Sequence, residues 1–322
     1  FKMENVRAGV FANASRPYGL QFEPVEGVAL YNPECEAFKV SDADGSLIGI
    51  IITDYYPRDT KRAGAWMTNF VNQYKDEEGR DVRPVIVNVG NFNKPTADQP
   101  SLLTIDQVET MFHEFGHALH GLLSQCTYKS TGGTSVKRDF VELPSQINEN
   151  WAFEPEVLAT YAFHYQTGEV IPADLVAKVQ AAANFNQGFT TGELCAASIL
   201  DMKWHELSSI EGVGVDEFEA EVCRQMGLVS EIIPRYRSTY FNHIFGSSGY
   251  SAGYYSYLWA EVLDKDAFEL FRQKGIFDKE TAMSFRRNVL EKGGSEEPMV
   301  LYKRFRGADP DAGALLRARG LR

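Results

Sequence analysis

Residues 111–120 read MFHEFGHALH, and this stretch sets the terms for the rest of the chain. In a helix, His113 and His117 stand one turn apart and project from one face. Two imidazoles at that spacing can hold one zinc ion. At 3.6 residues per turn Glu114 lies about 100° round the helix from His113, beside the metal position and within reach of a water there. Zinc lowers the pKa of such a water to about 7, and a neighbouring carboxylate can take its proton as general base. The competing reading is an ordinary buried helix with two satisfied histidines. Against it, the three polar groups are set among Met111, Phe112, Phe115, Ala118 and Leu119, where burial is costly unless something satisfies them. Gly116 in mid-helix costs about 1 kcal/mol relative to Ala, which suggests that another backbone packs close.

A catalytic zinc needs a third protein ligand and an open position. His120 sits seven residues after His113, roughly 10 Å along the axis, too far to join the same ion, and reads as a core or supporting histidine. Position 123 is Leu, so a third histidine at metzincin spacing is excluded. The better candidate is Glu142, in RDFVELPSQINENW at 138–151. Asp139 and Glu142 have the spacing of a cap and its partner, and Pro144 starts or bends a helix there. Glu142, Ser145, Gln146 and Glu149 then share one face of a segment that also carries Phe140, Leu143, Ile147 and Trp151. Glu149 is placed to orient a ligand histidine by accepting its free N–H, although an exposed charge reads equally well.

Around this centre the pattern is mainly helical. Thr104 and Gln107 form a capping box ahead of the motif, and Asp216 with Glu219 reads as another, closed by Gly227. Helical spacing runs over 254–274 to Gly275 and over 279–292 to Gly293, and Asp309-Pro310 opens a last helix that stops at Gly320. The first hundred residues supply a small sheet. EAFKV, the turn DADG at 42–45 and LIGIIITDYY read as a hairpin over 36–57. A further strand lies in 82–92, where Pro84 suits a strand start or an edge and could let a peptide add to that edge. The expected division is a sheet-containing part at 1–103 and a helical part with the zinc site at 104–322.

Residues 243–257, HIFGSSGYSAGYYSY, carry three glycines among serines and read as a flexible loop. Tyr250, Tyr254 and Tyr257 recur at helical spacing. They read either as an aromatic packing stripe or as phenols that donate to the oxyanion of a peptide under attack.

The totals are compatible with this. The chain has 322 residues, is 44% hydrophobic and carries a net charge of −12, which disfavours a phosphate-backbone partner. The longest apolar runs, such as LIGIII at 47–52, are far too short for a bilayer. The four cysteines are scattered with no C-x-x-C spacing, and read as reduced buried thiols. Arg138, Arg235 and Arg237 are each candidates to fork a substrate carboxylate. A two-histidine, one-carboxylate set also suits mononuclear iron oxygenases, but those ligands would sit on a β-barrel rather than on helices.

HEFGHALH followed at this distance by FVELPSQINENW resembles the M3 family of zinc metallopeptidases, the thimet oligopeptidase family. PVIVNVGNFNKPTADQPSLLT at 84–104, RYRSTYFNHIFGSSGYSAGYYSYLW at 235–259 and LEKGGSEEPMVLYKRFRG at 290–307 look most like its peptidyl-dipeptidase (dipeptidyl carboxypeptidase) subgroup. The resemblance implies a mainly α, zincin-like catalytic domain with a small β-sheet, lining a deep substrate channel. It implies one zinc ion per chain on His113, His117 and Glu142, with Glu114 as base. It places Tyr257 and His243 at the reacting carbonyl and Tyr250 and Tyr254 along the substrate. The Ser-Ser between Gly246 and Gly249 departs from the shorter, more glycine-rich stretch of many relatives.

The expected substrates are short peptides, cut to release C-terminal dipeptides or, alternatively, cut internally. A monomer in the cytoplasm, or in the periplasm, is expected, with neither nucleic acid nor membrane as partner. The family's long helical N-terminal region is expected to precede this chain. Without it, a portion that binds zinc and peptide but does not turn over is a further alternative.

Overall fold

The computed structural model describes residues 1–321. The chain opens with helix α1 (Met3–Tyr18), then runs through seven strands: β1 (Gln21–Pro24), β2 (Glu36–Ser41), β3 (Leu47–Asp54), β4 (Trp66–Val71), β5 (Tyr74–Lys75), β6 (Asp81–Val82) and β7 (Val85–Val89). Twelve more helices follow. The first six are α2 (Ile105–Leu122), α3 (Arg138–Val141), α4 (Leu143–Ala152), α5 (Pro155–Tyr161), α6 (Ala173–Ala182) and α7 (Gln187–His205). The rest are α8 (Val215–Met226), α9 (Asn242–Phe245), α10 (Ser256–Lys274), α11 (Lys279–Phe285), α12 (Pro298–Arg306) and α13 (Ala312–Ala318). The protein is thus mostly helical with a small sheet, and no helix among the described residues is long and apolar enough to cross a membrane.

The main sheet has the order β1-β2-β3-β7-β4, with β3 and β7 parallel and the other pairs antiparallel. The β2–β3 hairpin turns at Asp42–Gly45, where the sequence puts it. Alternation along β3 sends Ile51 to the main core and Ile52 to a smaller cluster with Val87 and Val89 on the opposite face. A strand does form within 82–92, but only over Val85–Val89, and this β7 lies inside the sheet rather than at its edge. Pro84 precedes it, and its carbonyl accepts the Ile50 N–H at 3.0 Å, so its missing N–H costs no ladder bond. The edge beyond β7 is β4, which the sequence pattern did not single out.

α2 starts at the expected capping box. Thr104 Oγ1 accepts from the Gln107 N–H at 3.2 Å, and Gln107 Oε1 accepts from the Thr104 N–H at 3.0 Å. The helix is pressed between the sheet and α4, and two glycines make that possible. A Cβ on Gly116 would lie 2.3 Å from the Pro144 carbonyl oxygen, and one on Gly121 would lie 2.5 Å from Met67 Cε. Asn88 of β7 donates to the Glu114 carbonyl at 2.8 Å and Asn148 of α4 donates to the Phe112 carbonyl at 2.6 Å, fixing the register on both sides.

Three local expectations shift, and α1 is an element that the sequence pattern does not announce. Asp216 lies inside α8, whose N-cap is Gly214, while Glu219 is buried against Arg237 and Ser238; Gly227 does close the helix in the left-handed region. The 279–292 stretch is α11 followed by a wider π turn at Arg286–Leu290, not one uniform helix. The last helix is capped by Asp311, whose side chain accepts from the Gly313 N–H, rather than by Asp309-Pro310.

Candidate functional site

One turn of α2 brings His113 and His117 side by side, with ring centroids 4.9 Å apart and planes at 83°. Both Nε2 atoms aim at one carboxylate oxygen. Glu142 Oε2 is 3.3 Å from His113 and 3.1 Å from His117. Glu142 stands between α3 and α4, so the expected Asp139 cap is not formed; Asp139 lies inside α3 and accepts from the Tyr255 hydroxyl at 3.2 Å. The carboxylate is only 3% exposed. Ser145 donates to its Oε2 at 3.1 Å and Tyr250 to its Oε1 at 2.6 Å.

A buried carboxylate resists ionisation, yet the charges and hydrogen bonds of His117 and His113 outweigh burial and hold Glu142 well below the usual carboxylate range. Burial likewise opposes charge on His113, but its bonds to Glu142 and Glu149 raise its pKa well above the ordinary value. Such a cluster is built to hold positive charge at its centre.

The residues fit a metal ion. The ligand atoms of His113, His117 and Glu142 all lie within 4.8 Å of one another, and among the described residues no other group of three such side chains does. Glu149 Oε1 takes the His113 Nδ1 position at 2.5 Å, which fixes that ring's orientation and leaves Nε2 facing the centre. Two nitrogens and one oxygen are a zinc-type donor set. Glu114 lies beside them at 8% exposure, with Oε2 buried and unpartnered, and burial raises its pKa. An orphaned carboxylate oxygen at the centre's flank is a place for a water.

The centre opens into a cavity of about 420 Å³. It is also lined by Ala65 with Trp66 and Met67 at the start of β4, by Thr134, Arg138 and Val141, and by His243, Tyr250 and Tyr257. His243 Nε2 is 3.0 Å from the Tyr257 hydroxyl, and the Tyr250 and Tyr257 rings stack at 5.4 Å. Burial pushes both phenols upward in pKa, so both remain donors at neutral pH. Tyr254 is placed differently. It is 4% exposed, lies outside the cavity lining, and packs on Phe241 beneath the other rings.

The three arginines separate. Arg235 pairs with Glu193 at 3.0 Å, and Arg237 is tied to Glu219 and Asp216. Arg138 lines the cavity, lies 4.5 Å over the Tyr250 ring, and has no ion-pair partner among the described residues. His120, three residues past His117, points into the core at 0% exposure. β4 is not marked in the sequence because WMTNFV places apolar and polar residues two by two and lacks the period-2 alternation of a half-buried strand.

With this geometry in place, comparison with known proteins is decisive about family. The sequence model of peptidase family M3 matches residues 1–321. The chain belongs to peptidase family M3. The M3 chain is 44% identical over 316 residues to dipeptidyl carboxypeptidase of Escherichia coli (strain K12), which covers 97% of this chain and 46% of that protein. It is 41% identical over 317 residues to oligopeptidase A of the same strain, covering 98% of this chain and 46% of that protein. The M3 chain thus spans about half the length of the curated relatives it matches. A solved structure of Pyrococcus furiosus carboxypeptidase aligns with a TM-score of 0.51 at 17% identity, over 84% of this chain and 54% of that one. At that identity the likeness concerns the fold alone.

Proposed function

We propose that this chain is the catalytic part of a zinc-dependent peptidase that releases C-terminal dipeptides from short peptides. The observation that carries the reading is the convergence of two imidazole nitrogens on the buried Glu142 carboxylate, with Glu114 unpartnered beside them. His113, His117 and Glu142 would hold the zinc. When bound, zinc supplies a Lewis acid that makes water acidic near neutral pH and polarises a carbonyl.

The chain's own groups do the rest. Glu114 takes a proton from the attacking water as the new C–O bond forms at the scissile carbonyl. It delivers that proton to the amide nitrogen as the C–N bond breaks, so the products are a free carboxylate and a free amine. Tyr257, kept protonated by burial and oriented by His243, donates to the developing oxyanion. One such donor is worth about 2.7–4 kcal/mol in the transition state. The outer edge of β4 lies along the cavity and offers backbone groups to an extended peptide, whatever its side chains. Arg138, beside that cavity with no carboxylate of its own, is the cation for a substrate's terminal carboxylate.

Internal cleavage of oligopeptides is the second reading, favoured by the oligopeptidase A relative at 41% identity. Incubating an N-blocked tetrapeptide with the protein, with and without chelator, separates the two. Release of the C-terminal dipeptide, abolished by chelator and reduced about 10²–10⁴-fold by Glu114→Ala, supports the first. Cleavage confined to longer peptides supports the second, and an unaffected Glu114→Ala removes that residue from the mechanism.

A further inference from the structure

Of the two phenols at the cavity, Tyr250 rides on a segment with no regular structure and Tyr257 stands in the first turn of α10, just beyond it. Between α9 and α10, residues 246–255 run as turns, and an irregular segment alone would not keep Tyr250, or the start of α10 that carries Tyr257, in register with Glu142. The structure supplies an anchor from α7. Asp201 is 0% exposed, and its two carboxylate oxygens each take one backbone N–H of the segment: Oδ1 that of Ala252 at 3.0 Å, Oδ2 that of Tyr254 at 2.8 Å. His205, one turn further along α7, places Nδ1 2.8 Å from Oδ1, 2.9 Å from the Asp201 carbonyl oxygen and 3.3 Å from the Ala252 nitrogen, so its ring packs against the same contact.

The latch holds a strained conformation. Ala252 has φ 52°, in the left-handed region that a side chain disfavours, and only Asn186 shares that trait among the described non-glycine residues. A strained turn persists only where its surroundings over-determine it. Here they do: the carboxylate grips the backbone on both sides of Gly253. One turn before Asp201, Ala197 of α7 packs in the same cluster as Phe241 and Tyr254. Tyr254 in turn lies 5.3 Å from the Tyr257 ring, so a displacement at Asp201 is carried to the cavity.

We infer that Asp201 is a positioning residue, fixing the backbone at Ala252 and Tyr254 so that the Tyr250 and Tyr257 hydroxyls face the metal centre. This rests on the reading that those phenols serve peptide hydrolysis. The inference is tested on the zinc-loaded full-length protein with Asp201→Asn. An asparagine keeps one acceptor oxygen and turns an NH₂ toward the other N–H, so the two amides no longer both find an oxygen, and the buried Tyr254 N–H has no second acceptor to turn to, whereas that of Ala252 also reaches His205 Nδ1 at 3.3 Å.

Hydrogen exchange of the amides in 250–257 is expected to accelerate at least tenfold. With the N-blocked tetrapeptide, kcat should fall at least tenfold with KM changed less than threefold and zinc content unchanged. Adding Ala252→Gly, which removes the left-handed strain, should restore part of the protection. The inference is overturned if Asp201→Asn leaves exchange and kcat at wild-type values, or if exchange accelerates while kcat holds. It is also overturned if the wild-type amides of Ala252 and Tyr254 exchange like an unstructured peptide, a measurement that needs no variant to fold. An inactive wild type condemns the peptidase reading instead, and the exchange data then decide the latch alone.

Discussion

Substituting Gly116 by Ala should loosen the candidate metal centre without touching any of its three proposed ligands. The new Cβ would lie 2.3 Å from the Pro144 carbonyl oxygen and 2.6 Å from Ser145 Cα, both backbone atoms of α4. Reaching ordinary contact requires α2 and α4 to part by about 1 Å. That retreat carries away Glu142, which leads into α4, and Glu149, which lies on it. The Glu142 oxygen now 3.1 Å from His117 would stand near 4 Å. Helix propensity alone favours Ala by about 1 kcal/mol. Overpacking against rigid backbone costs about 1–3 kcal/mol, and the upper end applies where no flexible side chain can give. The net expectation is a loss of about 1–2 kcal/mol in the metal-free protein, read by urea unfolding. Zinc affinity, read by competition with a chromogenic chelator, should fall about 10–100-fold, as when supports of ligand side chains are removed. Gly192→Ala on α7 is the control. Its Cβ meets nothing within 4 Å, so it should gain up to about 1 kcal/mol and leave zinc binding alone. A Gly116→Ala protein as stable as wild type, binding zinc within twofold, would refute the close-approach argument.

Three further outcomes follow from the same geometry. Glu149→Gln keeps the shape but removes the charge beside His113 Nδ1, and should weaken zinc binding about 10–100-fold with little change in fold, measured by the same chelator competition. His120 is fully buried, and burial pushes its pKa down to about 3, so the folded protein keeps it neutral where the unfolded chain takes up a proton near pH 6.5. Its contribution to stability is complete above about pH 6.5 and is lost as pH falls toward 3. Between pH 7 and 5 wild type should lose about 2 kcal/mol more than His120→Leu, and parallel pH–stability curves would sink this. Arg138→Ala should raise KM for a tetrapeptide with a free C-terminal carboxylate by at least tenfold and leave the KM of its C-terminal amide unchanged; an equal effect on both would remove Arg138 from carboxylate recognition.

Much of the site is legible in the sequence because its groups are close along the chain. His113, Glu114 and His117 share one turn of a helix whose capping box is local, and Gly116 announces the neighbour it makes room for. Glu142 and Glu149 are legible because Pro144 and the interleaved apolar residues set a helical frame. What escaped depends on tertiary contacts. α1 contains Gly9, two asparagines and Pro17, and is a weak helix by propensity. It forms because Val6, Val10 and Ala14 find the core and because Gly9 admits the Tyr161 ring, 2.6 Å from where a Cβ would sit. Pro84 reads as an edge signal, yet the parallel β3 beside β7 uses its carbonyl and never needs its N–H. The tyrosine segment reads as flexible from its glycines, and nothing local reveals that Asp201, about fifty residues upstream, grips it. The arginines could be told apart only once their acidic partners, distant in sequence, were in place.

The central claim is that His113, His117 and Glu142 together hold one ion. Zinc content after exhaustive dialysis, measured by mass spectrometry for wild type and Glu142→Ala, tests it most directly. One equivalent per chain in wild type and almost none in a folded Glu142→Ala is the expected result. Undiminished zinc in the variant, or none in wild type supplied with the metal, would contradict the account.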